Sequence, residues 1–230
     1  MPAVQACLED GLNINVTLLF SLEQYEAVAE AYVAALEARP AAGAPIARTA
    51  SVASFFVSRV DTLVDRLLSA REEAANDEAG RAEARALRGA AAVANARRAY
   101  RRFQELFDGP RFQRLAARGG RPQRVLWAST GTKDPAYGDI CYVEPLVGPR
   151  TVTTLPLETL EAYRDHGQPD ATLAREVDEA DRVVLRLADL GIDLDELGRR
   201  LLVEGVDKFS TALDGVLATV DRRRQDLLVF

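Results

Sequence analysis

Asn15 and Thr17 stand two residues apart in the run NINVTLLFS (13–21), where an apolar strand should meet its core. Alternation sends both polar side chains to one face and Ile14, Val16, Leu18 and Phe20 to the other. A buried polar group without a partner costs about 1–3 kcal/mol, so two on one strand face point to an active site rather than to packing. A second run, ASFFVSRVD (53–61), carries Ser54 and Arg59 toward its carboxyl end. A guanidinium offers a planar fork of donors and a hydroxyl adds one more, a donor set that suits a phosphate.

Lysine is scarce, with only Lys133 and Lys208 in 230 residues. A lysine that attacks a carbonyl needs a pocket that lowers its pKa. Lys208, beside Asp207 in GVDKFSTALDGVL, reads as a surface charge on a solvated helix face. Lys133 follows the apolar run RVLWAST in the loop STGTKDPAY, where it serves either as a phosphate anchor at a strand mouth or as an ordinary exposed lysine. His166, the single histidine, sits in RDHG, and a helix end there would be complemented by its ring. With no HExxH motif and no cysteine cluster, no protein-bound metal site is expected. Cys7 and Cys141 form no CxxC pair and read as reduced, inert thiols of a cytoplasmic protein.

The elements that must position these groups alternate strand-like and helical segments, the pattern of βα units around a parallel sheet. Strands are predicted at 13–20, 49–57, 124–129 and 151–155. A helix over Leu22–Ala38 carries Leu22, Tyr25, Ala29, Tyr32 and Leu36 on one stripe and stops before Pro40. Further helices are predicted at 61–70, with a break near 76–80, at 81–107, and at 172–190, 193–203 and 206–228, the last three separated by Gly191 and Gly205. In 81–107 the apolar residues Ala86, Ala90, Val93, Ala96, Tyr100, Phe103 and Phe107 trace the packed side, and Arg98, Arg101 and Arg102 the solvated one. No low-complexity linker divides the chain, so residues 1–230 read as one α/β domain. An apolar content of 48% suits a globular core, and a net charge of −6 argues against a nucleic-acid footprint. No apolar run reaches the ~18 residues of a membrane helix, and MPAVQACLEDG lacks the basic start and apolar core of a signal peptide.

The segments GLNINVTLLFS, SVASFFVSRVD, GAAAVANARRAYRRFQ, LWASTGTKDPAYGDICYVEPLVGPRTVTTLP and GIDLDELGRRLLVEGVDKFSTALDGVL, taken in order, resemble the transaldolases of the longer bacterial type. The resemblance runs end to end. It implies a partial (β/α)8 TIM barrel of the class I aldolase kind, its strands five to eight plus C-terminal helices, with the first half of the family's barrel and its Schiff-base lysine absent from this chain. The implied activity is transfer of a dihydroxyacetone unit in the pentose phosphate pathway, from sedoheptulose 7-phosphate to glyceraldehyde 3-phosphate, giving erythrose 4-phosphate and fructose 6-phosphate.

On that resemblance Asn15 binds a substrate hydroxyl, Thr17 positions the catalytic water, Ser54, Arg59, Ser129 and Lys133 bind the substrate phosphate, and Phe56 lines the pocket. The run ASTGTK departs from the Ser-Phe-Arg pattern of shorter relatives, with Lys133 substituting for its arginine, and on the same resemblance no cofactor or metal takes part. Lacking the nucleophile, the chain alone is expected to be inactive, and its exposed sheet edges to seek a complementary N-terminal half or a second copy. A sugar-phosphate-binding half barrel without catalysis, and a helical interaction protein built on 81–107 and the C-terminal helices, stand as alternatives.

Overall fold

In a computed structural model, which describes residues 1–228, four parallel strands form one sheet in the order β1-β2-β3-β4. They are β1 (Ile14–Leu19), β2 (Ser51–Phe56), β3 (Arg124–Ala128) and β4 (Thr151–Thr153). The helices are α1 (Pro2–Glu9), α2 (Leu22–Ala41), α3 (Ser58–Ala74), α4 (Glu78–Ala86), α5 (Ala91–Phe107), α6 (Pro110–Ala116), α7 (Leu157–His166), α8 (Val177–Asp189) and α9 (Leu194–Leu228). The α/β class with a parallel sheet is therefore as expected, and all four strands fall where alternation and turn signals put them, each somewhat shorter. Helices α1, α6 and α7 have no counterpart among the predicted elements, beyond the helix end expected at His166.

One face of the sheet is covered. Val16, Ala53, Phe55, Val125 and Trp127 are buried on it, and Phe55 meets Trp127 edge-to-face at 6.0 Å. Helix α2 packs on β1 and β2 and α5 on β3. Tyr32, Phe107, Phe103 and Phe112 extend the same core between helices, with ring centroids 4.8–6.4 Å apart. Helix α2 runs past its predicted end at Ala38 to Ala41. Val28, Ala31, Val33 and Ala35 are buried along with Tyr25, Ala29, Tyr32 and Leu36 of the predicted stripe, Leu22 only partly, and Pro40, in the last turn, leaves the earlier hydrogen bonds intact. Ser21 caps this helix by accepting from the Gln24 N–H, while Gln24 Oε1 accepts from the Phe20 N–H at 2.8 Å.

Several boundaries differ from the predicted ones. Helix α3 begins three residues before Asp61, so Arg59 lies in its first turn and not in the strand. The helix predicted over 81–107 is two, α4 and α5, parted at Gly89, whose φ of +70° few other residues would adopt. The segment 172–190 is helical only from Val177. The helices predicted at 193–203 and 206–228 are one, α9. Gly205 does not end it. A β-carbon at that position would come within 2.9 Å of Leu18, so the glycine lets α9 lie close against β1. Leu18 itself sits at φ +64° in an irregularity where the β1–β2 register shifts, so the alternation of β1 breaks and Leu18, Leu19 and Phe20 are all buried.

Candidate active site

The other face of the sheet is open. Register places Asn15 beside Val52 and Arg124, Ser54 beside Leu126 and Val152, and Phe56 beside Ala128. Thr17 follows Asn15 on the same face, and both are exposed. The predicted separation of Asn15 and Thr17 from the apolar side of β1 is thus present up to the irregularity at Leu18.

Ser54 is buried on this face and donates its hydroxyl to Asn15 Oδ1 at 2.6 Å. The bond occupies the amide oxygen, so the Asn15 Nδ2 donors face the open side. Phe56, half-buried, tilts against Phe20 at 5.2 Å, and the Arg59 guanidinium lies over its ring at 5.4 Å. Stacking in this way links the strand end to the first turn of α3. Ser129, at φ +56° just beyond β3, exchanges a hydrogen bond with Ser58 Oγ at 2.9 Å, and its carbonyl accepts the Ser58 N–H. Four of the residues implied by the resemblance (Asn15, Thr17, Ser54 and Phe56) therefore share one face.

Arg59 and Lys133 are brought together elsewhere. Both line a cavity of about 230 Å³ between α3, α9 and the loop after β3, with Thr62, Leu63, Arg66, Arg200, Leu201, Glu204 and Lys208. Ser54 and Ser129 are not in that wall: the first is held by Asn15 and the second by Ser58. Of the cations in the wall, Arg66 and Arg200 carry no sequence signal noted above, and Lys208, expected as a plain surface charge, faces the cavity. Arg200, Glu204 and Lys208 recur every four residues along one helix face, a spacing that was readable but was cut by ending a helix at Gly205.

Another flank of α3 carries a second polar group, in which Asp61 is buried and Asp65 half-buried. Asp61 is buried and accepts the Ala92 N–H at 2.7 Å through Oδ1; Asp65 accepts the Gly89 N–H at 3.0 Å and the Tyr137 hydroxyl at 2.7 Å. These two carboxylates cap α5, whose own N-cap, Ala90, has no side chain for the purpose. Asp61 Oδ2 faces Tyr142 without a well-formed hydrogen bond. Burial, reinforced by the charge of Asp65, pushes the Asp61 carboxyl up to about 7 against the pull of the Ala92 N–H. Burial, then Asp61, raises the Tyr142 phenol. His166, at the end of α7, is exposed between Asp139 (3.1 Å) and Asp165 (3.3 Å), and these two carboxylates raise its pKa. Cys7 and Cys141 are free and half-buried rather than fully enclosed. Among the described residues no cluster of metal-ligating side chains occurs, and no helix is long and apolar enough to cross a membrane.

A parallel sheet built from βα units, with polar groups along one face and cations beside the strands' carboxyl ends, falls in the α/β class that places its chemistry at that end of the sheet. Residues 1–220 match the family described as Transaldolase/Fructose-6-phosphate aldolase, and the chain belongs to that family. It is 49% identical to a transaldolase of Thiobacillus denitrificans over 218 residues, 95% of this chain and 58% of that protein. It is 47% identical to a transaldolase of Parafrankia sp. over 221 residues (96% and 58%) and 41% identical to one of Trichodesmium erythraeum over 229 (99% and 60%). The chain thus spans somewhat less than two thirds of the length of these relatives.

Proposed function

We propose that the chain supplies the substrate-handling part of a transaldolase that moves a dihydroxyacetone unit between sugar phosphates, from sedoheptulose 7-phosphate to glyceraldehyde 3-phosphate. The observation that carries the reading is the continuity from the Asn15–Ser54 pair, past Phe56, to Arg59 stacked on that ring and the cationic cavity it shares with Lys133. A ketose phosphate laid along this path has its hydroxyls beside Asn15 Nδ2 and its phosphate among the cations. Ser54 then orients Asn15 rather than binding phosphate, Ser129 steadies the start of α3, and Thr17 holds a water on the open face.

The chemistry of such a transfer needs an amine that condenses with the ketose carbonyl, loses water, and accepts the electron pair of the breaking carbon–carbon bond as an enamine. Neither lysine of this chain is on the open face. Lys133 and Lys208 are both exposed at the cationic cavity, far from the desolvated setting an amine nucleophile needs. We therefore infer that the nucleophile belongs to strands outside this sheet, and that such strands pair along β1 and β4, whose outer edges are unpaired among the described residues. A separately supplied half and a longer polypeptide would both meet that need.

Borohydride trapping tests the proposal. The purified chain incubated with fructose 6-phosphate and borohydride should show no dihydroxyacetone adduct by intact mass, and a chain extended by the unmatched part of the Thiobacillus relative should show one. An adduct on Lys133 or Lys208 would overturn the account of the nucleophile. No adduct on the extended chain would overturn the transaldolase reading.

A further inference from the structure

The cavity between α3 and α9 holds more positive charge than Arg59 and Lys133 bring to it. Arg66, Arg200 and Lys208 join them, against a single carboxylate, Glu204, which is committed to Arg200 Nε at 2.9 Å. The remaining four cations have no carboxylate partner among the described residues. The arginines of α5 show the contrast: Arg97 pairs with Glu176, Arg98 and Arg101 with Asp181, and Arg102 with Glu26 and Glu105. Like charges gathered around about 230 Å³ repel one another, and an anion seated among them relieves that repulsion. The two helix faces are also in phase, Arg59 with Arg66 on α3 and Arg200, Glu204 and Lys208 on α9, so they form opposite walls of one slot.

We infer that α9 is part of the anion site: Lys208 and Arg200, together with Arg66, hold the substrate phosphate alongside Arg59 and Lys133. The identity of the phosphorylated ligand as a sugar rests on the reading above; the anion site does not. A phosphate in the slot has Arg59 at its inner end, and that guanidinium is stacked on Phe56 at the end of β2, so the carbon chain it bears is directed onto the open face. Glu204 has a definite part in this arrangement. It competes with the phosphate for Arg200, so its removal strengthens anion binding while loss of Lys208 weakens it. A purely structural role for these two helix positions gives no such opposite signs.

Calorimetry with inorganic phosphate, fructose 6-phosphate and fructose decides the matter, on the intact chain and on Lys208→Ala, Glu204→Gln, Arg59→Ala and, as a control further along α9, Arg224→Ala. Circular dichroism establishes that each variant keeps its helix. Lys208→Ala is expected to weaken phosphate binding about tenfold, the size of one charge-assisted hydrogen bond. Glu204→Gln is expected to tighten it, and Arg224→Ala to leave it unchanged. No binding of phosphate by the intact chain, or equal affinity in Lys208→Ala and Glu204→Gln, overturns the inference. If fructose 6-phosphate binds through Arg59 while both α9 variants are silent, the sugar-phosphate reading stands and the role of α9 falls. If phosphate follows the expected pattern but fructose 6-phosphate binds no tighter than phosphate, and Asn15→Ala alters neither, the anion site stands and the sugar reading falls.

Discussion

Along β2, Ala53 and Phe55 are at 0% exposure beneath the helices, while their chain neighbours Val52 and Phe56 are half-buried on the opposite face. Across β3 the same division sets Val125 and Trp127 against Arg124 and Leu126. Parallel strands are ordinarily buried on both faces and read as unbroken apolar runs. Here one face is written in apolar residues and the other carries Asn15, Thr17, Ser54 and Arg124. The covered face is built for stability and the open one, on the function proposed above, for ligands, and the two can be separated by substitution. The largest effect belongs to the covered face: Trp127→Ala should cost about 3–5 kcal/mol, whereas Thr17→Ala should stay within about 0.5 kcal/mol. Urea midpoints at unchanged slope measure both. Similar losses at the two positions would mean that the open face is also packed in solution.

Asp61 sharpens the contrast because it is a carboxylate on the covered side. Its surroundings are Asp65, Tyr137, Tyr142, Cys141 and the N–H groups at the start of α5, none of them cationic. With a native pKa near 7 against 3.8 in the unfolded chain, the folded state keeps a proton between about pH 4 and 7 that the unfolded state has released. Stability contributed by this group is therefore complete below about pH 4, declines as pH rises to about 7, and is level above it. The decline amounts to a few kcal/mol at most. Asp61→Asn retains an acceptor for the Ala92 N–H and should flatten the profile, raising the midpoint at pH 8 relative to the parent chain. A profile unchanged by the substitution would assign the pH dependence to other groups.

Much of this arrangement is legible in the residues. The polar pair on β1, the strand positions and the loop placement of Lys133 follow from alternation and turn signals, because a strand's period of two is a local property. What failed to show was non-local. Ser54 has a hydroxyl suited to a phosphate, and only its register against Asn15 makes it a partner of the amide instead. Gly205 has the look of a helix end, and only the approach of Leu18 explains a glycine within a continuous helix. A helix end at Gly205 would part Arg200 from Lys208, so the second wall of the cationic slot shows only in the continuous helix. Asp61 and Asp65 bind N–H groups at the start of a helix 31 and 24 residues further along the chain, a pairing no local motif announces.

On the open face the Asn15–Ser54 hydrogen bond ties two residues of the candidate site together, and its strength can be read without substrate. Asn15→Ala, Ser54→Ala and the double variant form a cycle whose coupling should be about 1 kcal/mol, the net value of a partly buried hydrogen bond. The same pair should matter far more for binding fructose 6-phosphate than for stability. Zero coupling would mean that Asn15 is not held by Ser54 and that the open face is less ordered than the covered one.

Helix α9 repeats the comparison along its own length. Its first turns are anchored: Gln24 Nε2 donates to the Gly198 carbonyl at 3.0 Å and Leu201 is buried. Beyond Gly205 the apolar residues Val206, Phe209, Leu213, Val216 and Val220 recur at alternating steps of three and four, as in a helix that packs on another surface, yet Phe209, Leu213 and Val220 are 54%, 58% and 61% exposed. Such a stripe contributes nothing to the free energy of the isolated chain and exposes apolar area that self-association would remove. Phe209→Ser with Leu213→Ser should therefore shift the urea midpoint by less than about 0.5 kcal/mol equivalent while lowering both dye binding and the apparent mass in light scattering. A loss of about 2 kcal/mol or more would show instead that this half of α9 is docked in solution, where it would behave like the helices on the covered face rather than as a surface held ready for further strands or helices.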